Sequence, residues 1–292
     1  MGFFFYGFLF FLAMNFCDAL DLGAQEDKIG QTAVEAIRTH MRGAGDLEIR
    51  FIEKQESEIA DFYAVKVLIV TLDKEVPRVI YVDKNGERVI FGDLFVKGEN
   101  VTRKMAGNPK PRVVDMDTLE IDKSPGRGRL GAKLTIVEFS NFLCPYCYRS
   151  WAQLQKFMEK NPQDVRYVFK HLPLEMQGKP FEISEMAASV QELSPEAFWL
   201  VHDFLFSREG QELLKKEKEA IKQKIVEILK EKGFDAQAFQ NLLDSGKGRK
   251  RLEEDMALTR KYQFKGTPTT VINGQIHAGA LTEKILEGFL GK

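Results

Sequence analysis

The stretch LTIVEFSNFLCPYCYRSW, residues 134–151, constrains the chain more than any other. Its first half is a short continuous apolar run, which suits a strand buried on both faces. Its second half leads through Trp151 to Leu154, Phe157 and Met158 at helical spacing, until Asn161-Pro162 stops the pattern. A buried strand that feeds an amphipathic helix puts the CPYC turn at the end of a sheet and the start of that helix. The chain has only three cysteines, and two of them, Cys144 and Cys147, sit in this turn. A bridge between residues so close in sequence closes a loop too small to restrain the unfolded chain much. The pair therefore reads as reactive rather than structural.

Cys144 stands where unpaired backbone N–H groups and the helix dipole favour negative charge. Such a position lowers a thiol from about 8.5 to between roughly 3.5 and 7.5. Pro145 suits the first helical turn, where its missing N–H costs nothing. Cys147, three residues on, points back toward Cys144 and is expected to sit deeper. One cysteine then attacks and the other resolves. A closed zinc site needs four ligands; the chain has no second CxxC, and His40, His171, His202 and His277 lack ligand spacing. The histidines read as ordinary surface or core residues.

Two more positions complete a redox constellation. Glu138 lies inside the apolar strand, where burial disfavours its ionised form and raises its pKa. A carboxyl poised near neutrality could exchange protons with Cys147. Pro268, in KGTPTT, is the residue type that accepts a cis peptide bond. A cis Thr267-Pro268 bond would offer the Thr267 backbone to an extended substrate as an added strand.

The rest of the chain divides around this unit. Residues 1–24 begin with an uncharged, phenylalanine-rich run, shorter than the roughly 20 residues of a spanning helix, and read as a secretory signal. Cuts after Ala19 or Ala24 fit, and an uncleaved anchor is the alternative, since the segment lacks a basic start. Removing it takes Cys17 away and leaves one cysteine pair. Residues 25–106 read as a small α+β domain: a helix carrying Ile29, Ala33, Ala36 and Ile37 that ends near Gly43-Ala44-Gly45, then strands, with Asn85-Gly86 as a hairpin turn. Residues 107–131, rich in Gly, Pro and charge, read as linker with one short strand around RVVDMDTLEI. Residues 132–292 form the second domain: strand, helix, strand, a helical insert at about 181–262, an Asn273-Gly274 hairpin, and a last helix capped by Thr282. With 42 basic and 43 acidic residues, nothing in the total charge points to nucleic acid as partner.

VEFSNFLCPYC, the helical insert and FKGTPTTVINGQ together resemble the thioredoxin superfamily, in the branch of bacterial Dsb thiol:disulfide oxidoreductases. VIYVDKNGERVIFGDLFV is more weakly similar to the amino-terminal dimerisation domain of DsbC and DsbG type disulfide isomerases. The resemblance implies an α/β fold class: a thioredoxin-like catalytic domain with a helical insertion, preceded by a small α+β dimerisation domain. It implies Cys144 as nucleophile, Cys147 as resolving thiol and Glu138 as the associated acid. Thr267 and Pro268 then bind substrate, together with Pro145 and Tyr146 between the cysteines. It also implies a homodimer through residues 25–106, unfolded or misoxidised exported proteins as substrates, a membrane redox partner, a periplasmic location, and no cofactor beyond the Cys144-Cys147 disulfide. Thr267 and the amino-terminal domain make a disulfide isomerase acting on misoxidised proteins the leading expectation, with an oxidase as the alternative. Pro145, where isomerases commonly carry glycine, favours an oxidase. A chaperone that merely holds unfolded chains is the reading from another class.

Overall fold

The computed structural model describes residues 27–41 and 47–291. The signal-like segment, Cys17 and the Gly43-Ala44-Gly45 helix end lie outside the described residues. The described chain forms two compact units, one built from residues up to Ile69 with Pro77–Asn108, the other from Val70–Val76 with Pro109 onward.

In the first unit, helix α1 (Lys28–His40) starts at Asp27, whose carboxylate accepts the Ile29 and Gly30 N–H groups, and buries Ile29, Ala33 and Ile37. Strands β1 (Glu48–Glu56), β2 (Phe62–Val70), β3 (Lys74–Asp83) and β4 (Val89–Ile90) follow in that spatial order. The Asn85-Gly86 hairpin forms, with Val82 opposite Val89. Asp83 shapes it as much as the glycine does: its carboxylate accepts the N–H groups of Glu87 and Arg88 and the Arg88 Nε–H. Those donors hold it well below the usual carboxylate range. Short strands β5 (Phe95–Val96) and β6 (Glu99–Asn100) lead into α2 (Val101–Ala106), and the buried Tyr81 hydroxyl is 2.5 Å from Thr102.

In the second unit, β7 (Lys110–Pro111) and two 3-10 turns (Met116–Leu119 and Ile121–Lys123) precede β8 (Gly126–Gly128). This segment departs from the sequence expectation of a linker with a strand in RVVDMDTLEI. Asp115 caps the first turn by accepting the Asp117 N–H, and its carbonyl accepts the Thr118 hydroxyl, so local side-chain bonds win over strand pairing. Of that stretch, Val113 makes only an isolated bridge to Gln275. The strand lies instead in the glycine-rich part, where β8 pairs with the next sheet strand but one. Gly128 permits it: its φ is +92°, and a Cβ there would stand 2.2 Å from the Val165 carbonyl oxygen.

Strand β9 (Leu134–Ser140), helix α3 (Pro145–Lys160) and strand β10 (Val165–His171) then form a parallel strand–helix–strand unit. Helices α4 (Lys179–Leu193), α5 (Pro195–Leu205), α6 (Arg208–Leu213), α7 (Lys218–Glu231), α8 (Ala236–Asp244) and α9 (Lys247–Tyr262) make the insert. Strands β11 (Thr269–Ile272) and β12 (Gln275–Ala278) and helix α10 (Glu283–Leu290) close the chain, with Thr282 capping α10 as expected. The sheet order is β12-β11-β9-β10-β8, so the apolar run of β9 is the central strand. Leu134 and Ile136 face α3 and the insert; Val137 and Phe139 face Leu258, Phe264 and Leu119 on the other side. Burial on both faces is the reason this strand reads as unbroken hydrophobic sequence.

Helix α9 is held to the sheet by charge as well as by packing. The buried Asp255 carboxylate accepts from Lys170 Nζ at 3.0 Å, Arg251 Nη2 at 2.6 Å and the His171 backbone N–H at 3.0 Å. Gly248 lets α9 approach α4, since a Cβ there would lie 2.0 Å from Ser189 Oγ.

Candidate active site

The site forms where β9 ends and α3 begins. Cys144 is the N-cap residue of α3, with φ −85° and ψ 119°, and Pro145 occupies the first turn. Among the described residues no side chain caps this helix, so its leading N–H groups remain available to the sulfur. Cys144 is half-buried and Cys147 fully buried, and both are free thiols. One turn of helix brings the pair together on the same side, as the spacing predicts.

The two thiols are driven apart in acidity. Cys144 is lowered to about 5, first by the hydrogen bond from the Cys147 thiol, then by the Thr267 side chain and the N–H groups of Cys147 and Tyr146, against the cost of partial burial. Cys147 is pushed well up, first by burial and then because it is the donor in that hydrogen bond. Its sulfur also accepts the Asn141 N–H at 3.5 Å. At neutral pH the pair is therefore a thiolate at Cys144 held by a thiol at Cys147.

The cis-proline loop faces the pair. The Thr267–Pro268 peptide is cis, as expected from KGTPTT. In its thiol form Cys144 donates to the Thr267 carbonyl oxygen at 3.4 Å. Among the described residues the buried Thr267 hydroxyl has no other partner. Tyr146 stands 56% exposed at the rim, with the Arg149 guanidinium 4.4 Å above its ring, and Pro145 is exposed beside it. The Leu172 N–H bonds the Ser140 carbonyl, and the loop that follows presents exposed Leu174 and Met176 at the same end of the sheet.

Glu138 is fully buried on β9, opposite Phe169 of β10 and Thr270 of β11. Burial raises it to about 7; the Ser150 and Ser140 hydroxyls oppose that rise, and the Cys144 charge adds to it. Its Oε2 accepts from Ser150 Oγ at 2.8 Å. All seven residues singled out from the sequence thus lie on three neighbouring segments: β9, the start of α3, and the loop before β11. Sequence reasoning missed Ser150, Ser140 and Asn141. Ser150 had a readable signal, because three residues after Cys147 places it on the same helix face. The histidines do not enter the site's chemistry. His171 and His202 are buried core residues that burial lowers to about 4, so they are neutral at pH 7.

Residues 121–292 match a family model described as Thioredoxin. The chain is 29% identical over 181 residues to the Na(+)/H(+) antiporter NhaA 3 of Salinispora tropica, a match that covers 60% of this chain and 26% of that protein. It is 29% identical over 145 residues to the thiol:disulfide interchange protein DsbA of Pseudomonas aeruginosa, covering 49% of this chain and 64% of that one. The chain thus spans only part of the length of either relative. Among solved structures, oxidised BdbD from Bacillus subtilis superposes with a TM-score of 0.51 at 20% identity, over 59% of this chain and 93% of that one, which shows a shared fold.

Proposed function

The chain belongs to the thioredoxin family, and from that premise we propose that it is an exported thiol:disulfide oxidoreductase working through Cys144 and Cys147. The observation that carries the reading is the placing of the two thiols: Cys144, half-buried at the start of α3 and 3.4 Å from the Thr267 carbonyl oxygen, is held towards thiolate, and Cys147, buried one turn on, towards thiol. The Cys144 thiolate attacks one sulfur of a substrate disulfide, and the other substrate sulfur leaves as thiolate. Cys147 then passes its proton toward Glu138 and attacks Cys144 Sγ. This closes the Cys144-Cys147 disulfide and releases the second substrate thiol, so two electrons have moved to the substrate. Run in reverse, the disulfide form oxidises a substrate dithiol.

The lowered Cys144 thiol favours that reverse direction. Its thiolate is stabilised only in the reduced protein, so the disulfide is a ready electron acceptor. The substrates are unfolded exported proteins, which extend along the Thr267-Pro268 loop between exposed Tyr146 and the Leu174–Met176 loop. No cofactor beyond the cysteine pair is needed, and a membrane redox partner restores it. The signal-like residues 1–24 support a periplasmic location.

Isomerisation is the second reading, favoured by the first unit. There β1 is an edge strand of nine residues with only Ile49 buried. An open edge of that length suits pairing with a second copy, which would make the homodimer through residues 25–106. The purified chain, weighed by light scattering and assayed on reduced and on scrambled ribonuclease, separates the readings. Oxidation of the reduced substrate is the expected result. A dimer that rescues the scrambled substrate assigns isomerisation instead. Protection of unfolded chains that survives loss of both cysteines, without any exchange, contradicts the enzyme and leaves a chaperone.

A further inference from the structure

Ser150 has no part in the exchange just described, yet it is fully buried and makes two bonds with opposite roles. Its oxygen accepts the Leu281 backbone N–H at 3.2 Å, and its hydroxyl donates to Glu138 Oε2 at 2.8 Å. Leu281 is itself buried, in the connection between β12 and the Thr282 cap of α10. The Leu281 N–H can only donate and the ionised carboxylate can only accept, so the serine oxygen takes the first and its O–H goes to the second. Glu138 Oε1, by contrast, has no partner among the described residues, and neither does the Thr270 hydroxyl. Ser140 Oγ also lacks a hydrogen-bond partner among the described residues, so of the two hydroxyls that oppose the rise in Glu138, Ser150 is the one that makes a hydrogen bond of defined geometry with it.

We propose that Ser150 is a positioning residue for thiol exchange: anchored by the Leu281 N–H, its hydroxyl orients the Glu138 carboxyl and sets the pH at which it accepts the proton of Cys147. This inference rests on the proposed function for its catalytic consequence, though not for its effect on Glu138. The physical ground is that a hydrogen bond to a carboxylate stabilises the charged form against desolvation. The titratable groups acting with Glu138 are Cys144 and Cys147 on α3 and Tyr167 on β10. Burial holds the Tyr167 phenol above its usual range, so it is neutral at pH 7. None of the three supplies a positive charge that could replace the lost hydroxyl.

The test is an infrared titration of the Glu138 carboxyl in the reduced protein, its band assigned by its loss in Glu138→Gln. Ser150→Ala should raise the midpoint by about one unit or more. A one-unit rise lowers the deprotonated fraction at pH 7 about fivefold. The rate of Cys147-dependent disulfide closure should fall to match and recover as pH rises through the new midpoint. Ser150→Thr, which keeps the hydroxyl, should keep the original midpoint. In a Glu138→Gln background, Ser150→Ala should no longer shift the rate–pH profile. A folded Ser150→Ala protein with an unmoved Glu138 titration overturns the assignment. A shifted titration in a protein without exchange activity contradicts the proposed function and leaves the assignment standing. Should Ser150→Ala fail to fold, the unmodified protein carries the test by NMR. There the Ser150 hydroxyl proton should exchange slowly and correlate with the Leu281 amide; a freely exchanging hydroxyl overturns the proposal.

Discussion

Replacing Cys144 by alanine is expected to lower disulfide exchange at least about a hundredfold at pH 7. The remaining thiol, Cys147, is buried and held above its ordinary range. Even an unperturbed thiol near 8.5 is only a few per cent thiolate at neutrality, roughly, so Cys147 offers far less. It is also fully buried, whereas Cys144 is partly exposed. Cys147→Ala should behave differently. Attack by Cys144 persists there, but nothing resolves the product, so a covalent enzyme–substrate complex accumulates and is visible without reducing agent. Equal loss in both variants, with no trapped complex, would contradict the division of labour between the two thiols. Refolding rates with reduced substrate, read beside non-reducing gels, check both outcomes.

The second large effect concerns stability. Asp255→Ala should destabilise the second unit by about 3–5 kcal/mol, because it leaves Lys170 and Arg251 buried without their shared counter-charge. Burial already lowers the Lys170 ammonium from its usual range even with Asp255 present, which shows how poorly the site tolerates an isolated cation. Arg251 keeps Glu254 at 3.0 Å, so Lys170 is the group left most exposed to the loss. Replacing both members together, Lys170→Met with Asp255→Leu, should recover much of the stability, since well-packed apolar side chains can substitute for a buried pair. Urea denaturation of the two variants decides it. A cost for Asp255→Ala below about 1 kcal/mol, the range of an exposed pair, would mean the cluster is far wetter than its burial indicates. The consequence reaches the site, because α9 runs into the loop that carries Thr267 and Pro268. A loosened α9 should weaken substrate binding before it touches Cys144.

The active site was legible because its parts are sequence-local or compositionally odd. The CPYC turn ends an apolar run, Glu138 is an acid where an acid is costly, and Pro268 sits in a strand-entry loop. Each is a local contradiction with the surrounding pattern, and the fold brings all of them to neighbouring segments. What stayed hidden depends on partners far away along the chain. Lys170 and Asp255 are 85 residues apart, and neither stands out until the fold brings them together. Ser150 looked like an unremarkable helix residue, and its meaning comes from Leu281, 131 residues later. The strand at Gly126–Gly128 was masked by its glycines, which normally signal loop but here allow close approach to β10. Helices α6 and α8 are too short to show a period, so the insert read as one undivided helical block. The Asn85-Gly86 turn was legible, whereas the part Asp83 plays in it was not, because an aspartate before a turn is common.

The most direct test of the central claim is the pH dependence of alkylation at Cys144. Reduced protein is treated briefly with iodoacetamide across a pH series, and modification of each cysteine is read by mass spectrometry. Only the thiolate reacts, so the rate at Cys144 should rise through a midpoint near 5 and stay level above it. Cys147 should remain unmodified at neutral pH. A midpoint near about 8.5, or modification of Cys147 ahead of Cys144, would contradict the account.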